Sequence, residues 1–301
     1  MNADKAMVLV EETLGVQPLS AIHQIFGHNS VTYEVLLPER SVIVRMNREP
    51  RVFATTANNL AVLAGSGLPT PTVLAVDTTL RRVPFAYMIL EKIPGRDLRY
   101  ELGTMRLEQM TRLAEQIVGF QRQVGQLPQG QGYGYVGIGE TGPYASWWDV
   151  PDHRIDERDV TGDDRMDRLR DHTRIQKERF EPYLRSVPPT CFLDDITVKN
   201  VIVQDGELQG LVDFDCVCYG DPRFWLALTA TGIVSDVGTR ELFYVEELKR
   251  LWGVSPEQEA VLALYSAIFA LDFLHRFSAS ETPQWRARME AAIEQWLHDF
   301  R

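Results

Sequence analysis

FLDDITVKNVIVQDGELQGLVDFDCVCYGDP, residues 192–222, sets carboxylates among short runs of valine, isoleucine and leucine. Asp205-Gly206 lies between two runs of β-branched and apolar residues, and that dipeptide is a strong signal for a two-residue hairpin turn. In such a hairpin Asn200 begins the first strand and Asp213 ends the second, so both fall at the same open end. Asp195 precedes Asn200 by five residues, a distance that one loop closes.

Two carboxylates and one amide oxygen around one point form the ligand type that a hard cation such as Mg2+ prefers. Were Mg2+ to carry nucleotide phosphates, Asn200 and Asp213 would be its ligands, and Asp195 would be left to accept a proton or orient a hydroxyl. Asp and Asn also favour turns and caps with no chemistry attached, and each of the three taken alone reads that way. Their joint spacing favours the metal and hydroxyl reading. Asp221 reads as the cap of a helix starting at Pro222. Asp215 reads either as a second carboxylate beside the metal or, more plainly, as a polar strand end.

Working outward, residues 106–127 and 163–184 are long helical patterns, and residues 222–300 are nearly all helical in pattern. The N-terminal part differs. A short helix over residues 3–14 precedes β-rich runs at 18–26 and 31–46, the latter folded back at Pro38 to Arg40. Phe53, Ala57, Leu60 and Leu63 then recur at helical spacing, and strand-like runs follow at 68–77 and 84–93. Three strands, a helix and two strands predict a small antiparallel sheet carrying one helix. Pro94 and Gly95 mark a connector, which divides the chain into residues 1–93 and 94–301.

The two long helical patterns are separated by a Gly-, Tyr- and Trp-rich stretch with an acidic end. Trp147, Trp148 and the acids of residues 149–164 read either as an amine-binding pocket or as a solvated loop with two anchoring tryptophans. Trp285, Met289, Ile293 and Trp296 recur at helical intervals and read as core.

The 301 residues carry 42 acidic against 31 basic side chains, a net charge of −11. That balance repels a phosphate backbone and speaks against nucleic-acid or anionic-membrane partners, while a cationic small molecule is favoured near such a surface. Cys191, Cys216 and Cys218 form no CxxC pair, so neither a disulfide framework nor a structural zinc site is indicated. The N-terminus lacks the pattern of a signal peptide, and no apolar run approaches the roughly 18 residues that span a bilayer. A cytoplasmic protein is expected. GHNS at 27–30 is not a dinucleotide fingerprint, and GxxxxGK[ST] occurs nowhere in the chain.

DxxxxN at 195–200, the Asp205-Gly206 hairpin, VDFD at 212–215 and GDP at 220–222 together resemble the catalytic core of the aminoglycoside phosphotransferase family of small-molecule kinases. The resemblance extends over most of the chain. It implies an α+β, bilobal protein-kinase-like fold, with an N-terminal nucleotide-binding lobe and a larger, mostly helical lobe holding the catalytic loop and acceptor site. It further implies ATP or GTP as co-substrate, Mg2+ as cofactor and a small-molecule hydroxyl compound as acceptor. By resemblance Asp195 is the catalytic base, and Asn200 and Asp213 bind Mg2+. Gly27, Asn29 and Ser30 lie over the phosphates, Arg45 on the third strand holds the α/β-phosphates, and the backbone of Glu91, Lys92 and Ile93 meets the base.

Three positions depart from the family pattern. Leu193-Asp194-Asp195 stands where many relatives have His-Gly-Asp, and Arg45 stands where lysine is common. Arginine keeps the charge but presents a planar fork. The glutamate expected to pair with Arg45 falls at Thr56, so that pair is not expected unless Glu49 or a shifted helix replaces it. These departures sustain an alternative, a catalytically weak nucleotide- or ligand-binding chain of the same fold. The order of motifs, without HRD, DFG or APE, speaks against a protein kinase.

Overall fold

The computed structural model describes residues 1–24, 30–156, 164–238, 242–277 and 281–298. The chain divides into two compact units, Met1–Gly95 with Gln209–Cys216, and Arg96–Leu208 with Val217–Arg301. The return of residues 209–216 to the first unit was not part of the division expected after residue 93.

In the first unit, helix α1 (Ala3–Leu14) is capped by the Asn2 side chain and ends at Gly15, whose φ of 68° suits a residue without a Cβ. Strands β1 (Ser20–Gln24), β2 (Val31–Leu36) and β3 (Ser41–Asn47) follow, then α2 (Pro50–Gly65), β4 (Val73–Asp77) and β5 (Ala86–Glu91). The strands form one antiparallel sheet in the order β1-β2-β3-β5-β4. The three strands, helix and two strands legible in the sequence are therefore present in that order.

Strand β3 alternates strictly, with Val42, Val44 and Met46 fully buried. They join Leu9 and Val10 of α1 and Tyr87 and Ile89 of β5 in one core. The same alternation turns Arg45 to the opposite face. On α2, Phe53, Thr56, Asn59, Leu60 and Leu63 are buried. The returning segment is anchored where the Leu211 N–H donates to Pro69 O at 2.8 Å. Gly210 permits this close approach, since a Cβ there would lie 2.5 Å from the Ile93 side chain and 2.7 Å from Pro69 O.

The second unit is mostly helical. It comprises β6 (Arg96–Asp97), α3 (Leu107–Val124), β7 (Gly134–Val136), α4 (Asp152–Asp156), α5 (Asp164–Arg179), α6 (Glu181–Ser186), β8 (Thr190–Phe192), β9 (Val201–Gln204) and the start of β10 (Glu207–Leu211). After the return segment come β11 (Val217–Gly220), α7 (Arg223–Asp236), α8 (Leu242–Trp252), α9 (Pro256–Phe277) and α10 (Pro283–His298). Helix α7 is buried almost all round, as its apolar sequence without a polar face requires. Among the described residues α9 alone is long and apolar enough to cross a membrane, but 67% of its apolar window is buried within the protein. Trp285, Met289 and Ile293 of α10 pack with α5 and α9, as their spacing predicts.

The sequence signal at Asp205-Gly206 is realised in the backbone. Both residues have positive φ, 55° and 76°, which the two-residue hairpin turn between β9 and β10 demands. Gln109 Nε2 donates to Asp205 O at 3.0 Å and holds the turn on α3. On the other side β9 pairs with β6, Arg96 opposite Val203 and Asp97 opposite Ile202.

Trp147 is fully buried, edge-on to Phe192, Phe224 and Tyr265, and its Nε1 donates to Tyr265 Oη at 2.8 Å. Of the two readings of this tryptophan, the anchoring one holds. Trp148 lies under Lys177 Nζ, 3.6 Å from the ring centroid. A Cβ on Gly220 would meet the Trp147 ring at 2.0 Å. Gly220→Ala must therefore displace a packed indole, and denaturant unfolding should show a loss of about 2–3 kcal/mol.

Candidate active site

The first unit gathers one cluster around Arg45. Its side chain is only 13% exposed, and the guanidinium lies 5.7 Å from the Phe53 ring centroid. Arg45 Nη1 and Nη2 donate to the two carboxylate oxygens of Asp215, each at 2.7 Å. This is the parallel two-bond pairing for which a planar guanidinium is suited. Asp213 Oδ1 stands 3.6 Å from Nη2. The Thr56 hydroxyl is 2.8 Å from Asp215 Oδ1 and 2.8 Å from Val52 O. Its single proton can serve one of these, and the charged carboxylate is the stronger acceptor.

The absence of an acidic residue at position 56 therefore does not leave Arg45 alone. The second aspartate of VDFD supplies the carboxylate, and Thr56 supports it through its hydroxyl. Asp215 is accordingly not an idle strand end. Asn59 Nδ2 donates to Phe214 O at 2.9 Å, so α2 holds the backbone between the two aspartates as well.

Asp213 adopts φ 67°, a left-handed conformation uncommon for a residue with a Cβ. Strain of this kind marks a side chain whose direction matters. The side chain is 47% exposed. Its carboxyl is nevertheless held above the ordinary carboxylate range, first by burial of its surroundings and then by repulsion from Asp215, with Arg45 opposing. For Arg45, burial works against the charge, but the hydrogen bond and charge of Asp215 and the charge of Asp213 more than offset it, so the guanidinium is held more firmly than usual.

Other positions singled out in the sequence are spread over the first unit. Ser30 Oγ accepts from Asn47 Nδ2 at 3.3 Å, whereas Gly27 and Asn29 lie outside the described residues. Glu91 ends β5, where its N–H donates to Thr72 O at 2.9 Å and its side chain meets Arg40 at 3.2 Å. Lys92 Nζ is 2.6 Å from Glu34 Oε1, and Ile93 packs at Gly210.

The second unit carries the other cluster, on the loop between β8 and β9. Ile196 and Val198 are buried and pin this loop to the core, while Asp195 is exposed. Thr197 Oγ1 donates to Asp195 Oδ1 at 3.0 Å, and Asn200 Nδ2 donates to Asp195 O at 2.8 Å. The Asn200 N–H closes onto Thr197 O at 3.0 Å. Neighbouring elements hold the far end of the loop. The Arg99 N–H donates to Val198 O at 3.1 Å, and Lys199 Nζ pairs with Asp236 at 2.9 Å.

Asp194, only 8% exposed, lies in the electrostatic field of Arg154 and Tyr135. Arg154 is sandwiched between the Tyr135 and Phe269 rings, donates to Tyr135 Oη at 3.0 Å and pairs with Asp272. Burial works against its charge, and Tyr135, Asp272 and Asp194 oppose that effect and hold it ionised. Neither Arg154 nor Asp272 stands out in the sequence. A charged pair inside apolar surroundings, far apart along the chain, leaves no local pattern.

Among the described residues no group of three or more His, Cys, Asp or Glu side chains is placed to hold a metal ion. Asp213 and Asn200 offer one carboxylate and one carboxamide. Each is a hard oxygen donor of the kind that Mg2+ takes.

A family model described as "Phosphotransferase enzyme family" matches residues 23–262. No curated protein matches the sequence. Among solved structures, a thermostable mutant of the aminoglycoside phosphotransferase APH(4)-Ia in ternary complex with AMP-PNP and hygromycin B is 16% identical, with a TM-score of 0.72 and 98% of each chain covered. The GDP and kanamycin complex of APH(2")-IIIa is 12% identical, with a TM-score of 0.70 and 98% of each chain covered. A protein from Haemophilus somnus 129PT described as a fructosamine-3-kinase is 15% identical, with a TM-score of 0.63 and again 98% of each chain covered.

Proposed function

Because this chain belongs to the phosphotransferase enzyme family, we propose that it transfers the γ-phosphate of ATP or GTP to a hydroxyl of a small molecule. The observation that carries this reading is the pair of aspartates held by their own surroundings: Asp195, exposed and oriented by Thr197, and Asp213, fixed in a left-handed conformation. In this reading Asp195 accepts the proton of the acceptor hydroxyl. The Asn200 amide nitrogen donates to Asp195 O, and its carboxamide oxygen and the Asp213 carboxylate are each proposed as Mg2+ donors. Bound there, Mg2+ supplies positive charge for the nucleotide phosphates.

Arg45 is proposed to meet the α/β-phosphates, Ser30 with Gly27 and Asn29 to lie over them, and the Glu91–Ile93 backbone to meet the base. Both terminal nitrogens of Arg45 are engaged by Asp215, so a phosphate has to share or displace that pairing. The same fact favours a second reading, a nucleotide-binding chain with weak turnover. Neighbouring structures holding AMP-PNP or GDP together with aminoglycosides support a nucleotide co-substrate and a hydroxylated, amine-bearing acceptor. The net charge of −11 agrees with a cationic acceptor. A cytoplasmic setting, where nucleotide is supplied, is part of the same proposal.

Calorimetry with ATP and with GTP, each with and without Mg2+, tests the reading when joined to a phosphoryl-transfer assay over a panel of hydroxyl compounds. The expected result is Mg2+-dependent binding and transfer to at least one member. Binding without transfer would support the second reading. Asp213→Asn keeps a residue that tolerates positive φ but removes the charge. It should weaken Mg2+-dependent binding by at least roughly tenfold, the scale that even outer-shell changes reach. Unchanged binding would remove Asp213 from the metal site.

A further inference from the structure

Leu193 is the first residue beyond β8, and Asp195 stands two residues further on. Strand β8 pairs with β11 up to Phe192, opposite Cys218. Past that point the ladder ends, although Leu193 is still only 2% exposed. Its backbone N–H and C=O are thus buried without a strand partner, and its aliphatic side chain can make no hydrogen bond. Buried backbone groups of this kind need partners from elsewhere.

Gln121 provides both. The Leu193 N–H donates to Gln121 Oε1 at 3.0 Å, and Gln121 Nε2 donates to Leu193 O at 2.5 Å. A carboxamide carries a donor and an acceptor side by side, as a peptide group does, so this side chain acts as one residue of an added strand. Its location is telling. On α3 the buried face runs Met110, Leu113, Ala114, Ile117, Val118, Gln121 and Val124, so Gln121 occupies an apolar-face position at 1% exposure. A glutamine there costs desolvation that leucine would not, and its two bonds to Leu193 are the compensation.

We propose that Gln121 is a positioning residue for Asp195. It carries the direction of β8 one residue into the loop, and from the other side Thr197 holds the Asp195 carboxylate and Asn200 its backbone carbonyl. This rests on the phosphotransferase reading of Asp195. Buried Asp194 beside Arg154 reinforces the same two-residue approach to the base. Productive geometry is steep, since a displacement of about 1 Å can cost roughly 100-fold in rate.

The test compares Gln121→Met, which keeps the bulk and removes both bonds, with Gln121→Glu, which keeps the acceptor for the Leu193 N–H and loses the donor. Three readings are taken on the full chain well below its melting temperature: amide exchange at Leu193 by mass spectrometry, affinity for Mg·AMP-PNP, and turnover of Mg·ATP per folded molecule. For Gln121→Met we expect exchange at Leu193 at least about tenfold faster and kcat at least about tenfold lower, with nucleotide affinity within about twofold. Gln121→Glu should fall between the two, and it carries the test if Gln121→Met does not fold. Unchanged exchange at Leu193 overturns the clamp. Faster exchange with kcat unchanged makes Gln121 a structural prop and overturns the positioning role. A wild-type chain that turns over no hydroxyl compound overturns the phosphotransferase reading and this role with it, a result distinct from an active wild type whose variants keep full kcat.

Discussion

Asp195→Asn lowers turnover by about 100-fold or more while Mg2+-dependent nucleotide affinity stays within about twofold. The replacement keeps the shape of the side chain and an oxygen that can still accept from Thr197 Oγ1, so the loop retains its fold. What it removes is the capacity to take a proton. The carboxylate is exposed, so an acceptor hydroxyl can reach it. Single-turnover measurements with an identified acceptor check this directly. A variant retaining more than about a tenth of wild-type turnover would assign the base elsewhere.

The hairpin that carries these residues was legible because its turn chemistry is local: Asp205-Gly206 has few other uses between two apolar runs, and both residues do adopt positive φ. The sheet and helix of the first unit followed from periodicity in the same way. The partner of Arg45 did not. Asp215 lies 170 residues away in sequence, and its role depends on β3 turning Arg45 outward while α2 holds Phe214. Seen only as VDFD, the second aspartate looks like a polar strand end. Gln121 was hidden for the opposite reason, since a glutamine inside a helical pattern reads as a neutral surface residue until the neighbouring backbone is known to lack partners. Trp147 had two readings because an aromatic residue beside acids is ambiguous until its burial is known.

Asp221→Ala has the largest expected effect on stability. The carboxylate is fully buried and accepts from Tyr265 Oη at 3.0 Å, from the Arg223 N–H at 3.1 Å, from Arg223 Nη1 at 3.0 Å and from the Tyr183 hydroxyl. It caps the start of α7, as the sequence position before Pro222 suggested, but it also neutralises Arg223. Burial, then the Asp221 charge, pushes the Tyr183 phenol well above its ordinary range, so that hydroxyl remains a donor. Alanine leaves a half-buried guanidinium and two phenols without their acceptor. Removing one partner of such a pair costs about 3–5 kcal/mol. In a thermal melt this corresponds to a fall on the order of 10 °C. Asp221→Asn keeps two acceptor lone pairs and should lose less; equal stability of Asp221→Ala and wild type would show that the network contributes nothing.

The first unit is not finished when its first 95 residues have left the ribosome. Arg45 waits for Asp215, and Pro69 O waits for the Leu211 N–H. More than a hundred further residues must be made before either arrives, and until then a buried-site arginine and the Pro69 carbonyl stay open to water and to other chains. Nascent chains halted before residue 209 therefore present an incomplete unit to chaperones and proteases, and the order of synthesis becomes part of how this protein reaches its fold.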